Sequence, residues 1–208
     1  MITRVLFAAV LAGIAAGLVM SLIQHAKVTP LILQAETYET AAPAGQDDGH
    51  THSHDETGWA PADGFERTMF TVIANIVAGA AFALVLAGAA LLTGLPLTVS
   101  NGAFWGLIGF LAFNLAPSAG LPPELPGMPA ANLMARQVWW WATVIATAGG
   151  IGLLFMMQSL AIKALGIAII ALPHIVGAPH HADTASQVPA TLANAFAASS
   201  IATAAVFW

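Results

Sequence analysis

The 208-residue sequence contains no cysteine. Disulfides, thiolate metal sites and cysteine nucleophiles are therefore excluded. Charge is almost as scarce. Charged residues make up 7% of the chain, against about 25% in ordinary globular proteins. A water-facing surface cannot be built around a whole molecule from so few. Five Lys and Arg residues cannot form a phosphate-tracking patch, which excludes nucleic acid as a partner. No G-x-x-x-x-G-K-[ST] motif occurs, so the chain does not supply its own ATPase. HExxH, GxSxG, paired aspartates in apolar segments and cofactor motifs are also missing, which argues against an enzyme and against an organic cofactor.

What is plentiful is apolar. Hydrophobic residues reach 58% and come in long blocks rather than amphipathic stripes. That pattern predicts an all-α, polytopic membrane helix bundle. The first span reads as Val5 to Ile23. Later ones run near Met69 to Leu92, Asn101 to Pro117, Val138 to Met157, Ala164 to Gly177 and Val188 to Trp208. The third and fifth are short. Only Gln158 to Lys163 separates the fourth from the fifth, so these two form either a tight hairpin or one broken helix, for six spans or five. The first block is not read as a cleaved leader: its apolar run is too long, and Gln24-His25-Ala26 is a poor cleavage site.

The organisation that follows is a transmembrane helix over 1–26, an extramembrane acidic loop over 27–67, and a bundle of about five helices over 68–208. The loop holds eight of the ten acids and three of the seven histidines. Leu31 to Tyr38 reads as a short interfacial helix, and Ala41 to Pro61 has the composition of disorder. With the N-terminus inside, Arg4 and Lys163 face the cytoplasm, while Lys27, Arg67 and Arg136 face out. Those counts give no positive-inside preference. Arg4, beside the first span, favours a cytoplasmic N-terminus, and with it a periplasmic or exterior loop.

Several polar residues call for a reason. His50, His52 and His54 form H-x-H-x-H among acids, a donor set suited to Co, Ni or Zn. Gln24 and His25 end the first span. Pro30 has no N–H for Ala26, so the helix should kink or stop there. Freed carbonyls beside His25 would make a cation site; an interfacial histidine bonded to backbone is the alternative. Glu36 and Glu39 share a helical face, either relaying a cation or simply solvated. His174 follows Pro173, with Gly177 and Pro179 close behind, which predicts non-helical backbone lining a cavity. An ionisable residue at that depth is the best single intramembrane ligand, with a structural hydrogen bond as the alternative. His180, His181 and Asp183 would extend the path. Asn75, Asn114 and Asn194 suit interhelical hydrogen bonds, and Asn114 could also offer its carbonyl to a cation. Arg136 with Trp139, Trp140 and Trp141 reads as an interfacial belt. Met156 and Met157 read as packing. Gly13/Gly17 and Gly102/Gly106 are both G-x-x-x-G, which predicts close helix contacts.

A weak internal echo is also present. Pro96-x-Thr98-x-x-Asn101 and Pro189-x-Thr191-x-x-Asn194 each precede Ala-Phe. A 3+3 inverted repeat would place a shared site near the midplane, with the broken stretches at His25 and His174 meeting in one pathway.

Four segments together resemble a known family. They are Gln24 to Ile32 with Glu36 and Glu39; Ala116 to Gly127, containing Pro-Pro-Glu-Leu-Pro-Gly; Arg136-Gln137-x-Trp139-Trp140; and Leu172-Pro173-His174-x-x-Gly177-Ala178-Pro179. In this order they resemble the CbtA family of proposed integral-membrane cobalt-transporter subunits. The resemblance implies Co2+ uptake linked to cobalamin synthesis. It also implies a small one-span partner, CbtB, with a histidine-rich end. The chain departs from the usual pattern by stopping just after Phe207-Trp208, which leaves the completeness of the last span open.

The leading function is thus a Co2+ permease subunit of the bacterial inner membrane. The loop would capture the ion, and Glu36, Glu39 and His25 would pass it on beside Asn114 and His174. Ni2+ or Zn2+ transport is a variant, because ligand chemistry alone does not choose Co over Ni. A non-transporting metal sensor or scaffold is the alternative of a different class. Lipid is the constant partner, and a second copy of the chain is another.

Overall fold

The computed structural model describes residues 2–40, 61–181 and 186–208. Every regular element in them is helical. In chain order these are α1 (Ile2–Ile23), a π turn (Gln24–Val28), α2 (Thr29–Thr40), α3 (Phe65–Thr93), α4 (Gly102–Phe110), a second π turn (Leu111–Leu115), α5 (Ala116–Ser118), α6 (Leu133–Met156), α7 (Leu160–Val176) and α8 (Ala190–Phe207). Four stretches are long and apolar enough to cross a bilayer: Ile2–Tyr38, Phe65–Thr93, Leu133–Met156 and Ala190–Phe207. The helices Gly102–Ser118 and Leu160–Val176 are shorter. At about 17 residues, a helix is at the lower limit for a spanning segment. Many large apolar side chains point outward, among them Leu22, Val77, Leu92 and Ile167. Lipid is the solvent for which such a surface is stable.

Of the kink or stop expected at Pro30, the stop does not occur. A proline ring inside an α-helix clashes with the carbonyl four residues back. Here the preceding turn is π-helical, and the Thr29 N–H donates to the Gln24 carbonyl five residues back. The wider turn makes room for the ring, and helix runs on to Thr40. The same device recurs in the third span. The Ala116 N–H donates to the Leu111 carbonyl, and Pro117 follows. In both places the π turn closes on the residue just before the proline.

With α1, the π turn and α2 continuous, helix runs through residue 26 without a break. At about 1.5 Å per residue, Ile2–Tyr38 is roughly 55 Å long, well beyond the roughly 30 Å hydrocarbon core. One face of the excess packs against protein. Ala35 of α2 is buried with Leu125, Val188 and Leu192, with Tyr38, Met128 and Phe196 packed around them.

Two antiparallel pairs make up the bundle. Gly13 and Gly17 of α1 lie directly against the backbone of Gly79 and Asn75 of α3, so that a Cβ at any of the three glycines would strike backbone atoms. Gly150 of α6 likewise meets Gly166 and Ile170 of α7. The fourth and fifth spans are therefore a hairpin, not one broken helix, and only Met157 to Ser159 separate them. The second G-x-x-x-G is used only in part. Gly102 faces open space, whereas Gly106 and Gly109 seat the chain end at Trp208. Helix α8 packs on α2, α1 and the first π turn, touches α4 and the second π turn, and ends at Trp208, which stacks on Phe113 at 5.4 Å and lies 5.0 Å from Phe82.

The echo before the third and last spans is not structurally equivalent. Asn101 precedes its helix, where its Oδ1 accepts from the Thr98 N–H at 2.8 Å. Asn194 lies inside α8 and is exposed.

Candidate functional site

Alternating helix directions sort the charges. Among the described residues, Glu36, Glu39, Asp63, Glu66 and Glu124 belong to one end of the bundle, with Lys27, Arg67, Arg136 and His25, His174, His180 and His181. The opposite end carries Arg4 and Lys163. The acid-bearing end is where the chain can attract a cation.

Three ion pairs, made by two arginines, brace that end. Arg67, near the start of α3, donates to Glu36 of α2 at 2.5 Å and to Asp63 at 3.3 Å. One guanidinium between two carboxylates leaves this cluster net negative. Arg136 of α6 pairs with Glu124 at 2.8 Å, both partly buried. Arg136 is therefore more than a belt residue: it ties the Pro122-Pro123-Glu124 loop to α6.

Three cavities adjoin one another. An outer vestibule of about 660 Å³ is lined by Ser21, Gln24, His25, Thr29, Asp63 and Arg67, among others. A second, also about 660 Å³, is lined by Asn114, Ser118, Glu124, Arg136, Gln137 and Trp140 with apolar neighbours. Between them an inner cavity of about 200 Å³ is bordered by Met20, Gln24, Asn114, Ser118, Ser200 and Thr203. Gln24 lines both the vestibule and the inner cavity, and Asn114 lines both the inner cavity and the second one. Each of these two amides stands on a π turn. Such turns occur often at functional sites.

Their orientations are set by hydrogen bonds. Ser21 Oγ donates to the Gly17 carbonyl at 2.8 Å, so it accepts from Asn75 Nδ2 at 3.0 Å. Asn75 must then present its amide hydrogens, and it donates also to Gln24 Oε1 at 2.6 Å. Trp208 Nε1, which can only donate, donates to Asn114 Oδ1 at 2.6 Å. Asn75 and Asn114 thus make the interhelical bonds expected of them.

The remaining candidates are distributed unevenly. His25 is exposed and lines the vestibule. Glu36 is held by Arg67 and Glu39 is in the last turn of α2. His174 is not surrounded by bundle. Pro173 lies within α7, and His174 occupies its last turn, exposed, with its ring edge-on to Trp139 at 5.8 Å. The chain leaves the helix only at Gly177, where φ is +86°. Trp139 Nε1 donates to the Pro173 carbonyl at 3.1 Å, which fixes this helix end. His174, His180 and His181 line none of these three cavities, and none of the three reaches from His25 to His174. His50, His52, His54 and Asp183 lie outside the described residues. Among the described residues, no three His, Asp or Glu side chains converge closely enough to cage a metal ion.

The residues that sequence reasoning missed are Glu124, Asp63 and Trp208. Glu124 lies within the family-like Pro-Pro-Glu-Leu-Pro-Gly segment, whose pairing with Arg136 spans a loop. Asp63 and Trp208 carry no local signal.

No curated protein and no solved structure matches the chain significantly. A family model does match, over residues 2–208, and its description is "Probable cobalt transporter subunit (CbtA)". With essentially the whole chain covered, and with an apolar helical bundle that ends in a polar vestibule, the protein belongs to the CbtA family of membrane transporter subunits.

Proposed function

We propose that the chain is the membrane-embedded subunit of a Co2+ importer of the bacterial inner membrane, serving cobalamin synthesis, and that it acts without enzymatic activity of its own. The acid-bearing end faces out and gathers cations. The His50, His52 and His54 loop captures metal, and Glu36 and Glu39 add negative charge nearby. The vestibule then offers an imidazole, a carboxylate and an amide oxygen from His25, Asp63 and Gln24. Imidazole nitrogen with oxygen donors suits Co2+, and equally Ni2+ or Zn2+. Gln24 is the threshold at which metal leaves the vestibule for the bundle. His174, His180 and His181 guide ions at the rim rather than at depth. A one-span partner supplies what the word subunit in the family description requires.

One observation supports this most. Gln24 and Asn114, each on a π turn, both line the small cavity that lies between the two larger ones of the acid-bearing end. Uptake of radiolabelled Co2+ by cells expressing the chain with its partner tests the reading. Gln24→Leu should abolish uptake at equal membrane abundance. His25→Ala should raise the apparent KM about tenfold, the loss expected for one charge-assisted contact. His174→Ala should change it by less than about threefold, the effect of an exposed group away from the path. If the intact pair accumulates no more cobalt than empty cells, the permease fails and a metal-sensing scaffold takes its place.

A further inference from the structure

The inner cavity has a donor set unlike that of the vestibule. Its polar lining is Gln24, Asn114, Ser118, Ser200 and Thr203, with no ionisable side chain. The protons of the hydroxyls are already committed where the geometry is given. Ser118 Oγ donates to the Asn114 carbonyl at 2.6 Å, and Thr203 Oγ1 to the Ser199 carbonyl at 2.7 Å. Each of these hydroxyls is left with lone pairs only. The amides are pinned in the same sense. Gln24 Oε1 and Asn114 Oδ1 are identified as oxygens by the donors that reach them, Asn75 Nδ2 and Trp208 Nε1. Each oxygen keeps a second lone pair.

A transition-metal dication stripped of water would find neither imidazole nor negative charge among these side chains. The cost of desolvating an ion grows with the square of its charge, so a monovalent ion tolerates a neutral oxygen cage far better.

We infer that the cavity between the two π turns is a binding site for an alkali-metal cation, built from the neutral oxygens of Gln24, Asn114, Ser118 and Thr203. The site is separate from the Co2+ vestibule and does not depend on which metal the vestibule takes. Gln24 belongs to both, so metal in the vestibule weakens alkali-cation binding by charge repulsion and by competition for Gln24 Oε1.

The experiment is equilibrium binding of radiolabelled Na+ to the purified full-length protein in lipid nanodiscs, in choline chloride, with unlabelled Na+, K+ and Li+ as competitors. Saturable binding displaced by an unlabelled alkali ion is expected. Combined Ser118→Ala and Thr203→Val should weaken it about tenfold or more, as loss of ion–oxygen contacts implies. Both changes are close to isosteric, and an unchanged melting temperature in choline shows that the fold survives. Asn114→Asp retains an acceptor for Trp208 and adds a charge, so it should tighten Na+ binding; a merely structural asparagine would not produce that gain. Absence of saturable binding overturns the site, as does equal binding in wild type and the double variant. The competition arm is independent. If Co2+ does not displace Na+ while the site behaves as described, the shared role of Gln24 falls and the alkali site stands.

Discussion

Asn75 shows how little polarity a lipid-bathed helix pair needs when that polarity is fully used. Its one amide group holds Ser21 and Gln24 across the α1–α3 contact, beside glycines that bring the two backbones together. Hydrogen bonds between membrane helices contribute about 0.6 kcal/mol on average and up to about 1.7. Asn75→Leu removes the donor shared by two partners, so a loss near the upper value is expected, with a melting temperature lower by roughly 3–7 °C in a protein of this size. Gln24 should lose its fixed orientation at the same time. Co2+ uptake by Asn75→Leu should therefore fall further than the abundance of folded protein does. Trp208→Phe provides the matching case at Asn114. It keeps the ring stack on Phe113 but removes the indole N–H. About 1 kcal/mol of stability should go with that hydrogen bond, read as a lower melting temperature in detergent. Asn75 and Asn114 stood out in the sequence because an amide in an apolar span needs a partner. Which partners they take depends on contacts 51 and 94 residues away, and no local pattern encodes those.

At the level of elements, glycine and proline decide how the helices meet. A Cβ on Gly13, Gly17 or Gly79 would collide with main-chain atoms that cannot rotate aside, whereas Gly88 and Gly149 face open space. Gly17→Leu should therefore separate α1 from α3, seen as loss of a monodisperse peak by size exclusion. Gly88→Ala and Gly149→Ala should leave that peak unchanged. Proline acts through the π turns. With Pro117→Ala the ring clash vanishes and the missing N–H returns, so the wide turn at Leu111–Leu115 loses its cause. Removing proline from a helix interior is worth up to about 3 kcal/mol. The variant should melt higher. It should also transport poorly, because closing a π turn rotates Asn114 relative to the rest of its helix. A variant that is stabilised and fully active would show that the turn is a packing feature alone. The sequence reading allowed a kink or a stop at Pro30. It weighed the missing N–H and the restriction on Thr29, and did not weigh a wider turn that accommodates the ring.

The whole molecule is polarised. Its described acids and histidines share one end, and the other carries only Arg4 and Lys163 as charges. Lys and Arg number three at the acid-bearing end and two at the other, which gives no positive-inside preference, so labelling decides the orientation. Because the chain lacks cysteine, single cysteines can be introduced without first removing any. Asp63→Cys should react with a membrane-impermeant maleimide in intact cells whose outer membrane has been permeabilised. Ser159→Cys should react only after the inner membrane is opened. Labelling of both from the same side would contradict an alternating six-span bundle. The reverse pattern would invert the proposed orientation and turn the vestibule toward the cytoplasm.

Composition and block length were sufficient to determine a membrane-spanning helical bundle. Twenty apolar residues in a row have few other stable fates, and backbone groups in lipid must pair within their own helix. The acidic character of one loop, the buried amides and the family-like motifs were likewise legible, each being local in the chain. Tertiary structure alone decided that Gln24 and Asn114 share a cavity, that Arg136 holds Glu124, and that Trp208 sets the orientation of Asn114. It also moved His174 from the presumed depth of the bundle to an exposed helix end. The physical reason is the same throughout. Hydrophobic periodicity specifies which segments enter the membrane, while the facing of one polar group toward another depends on helix rotation. That rotation is set by glycine contacts and by the extra residue in each π turn, and it becomes defined only once the helices pack.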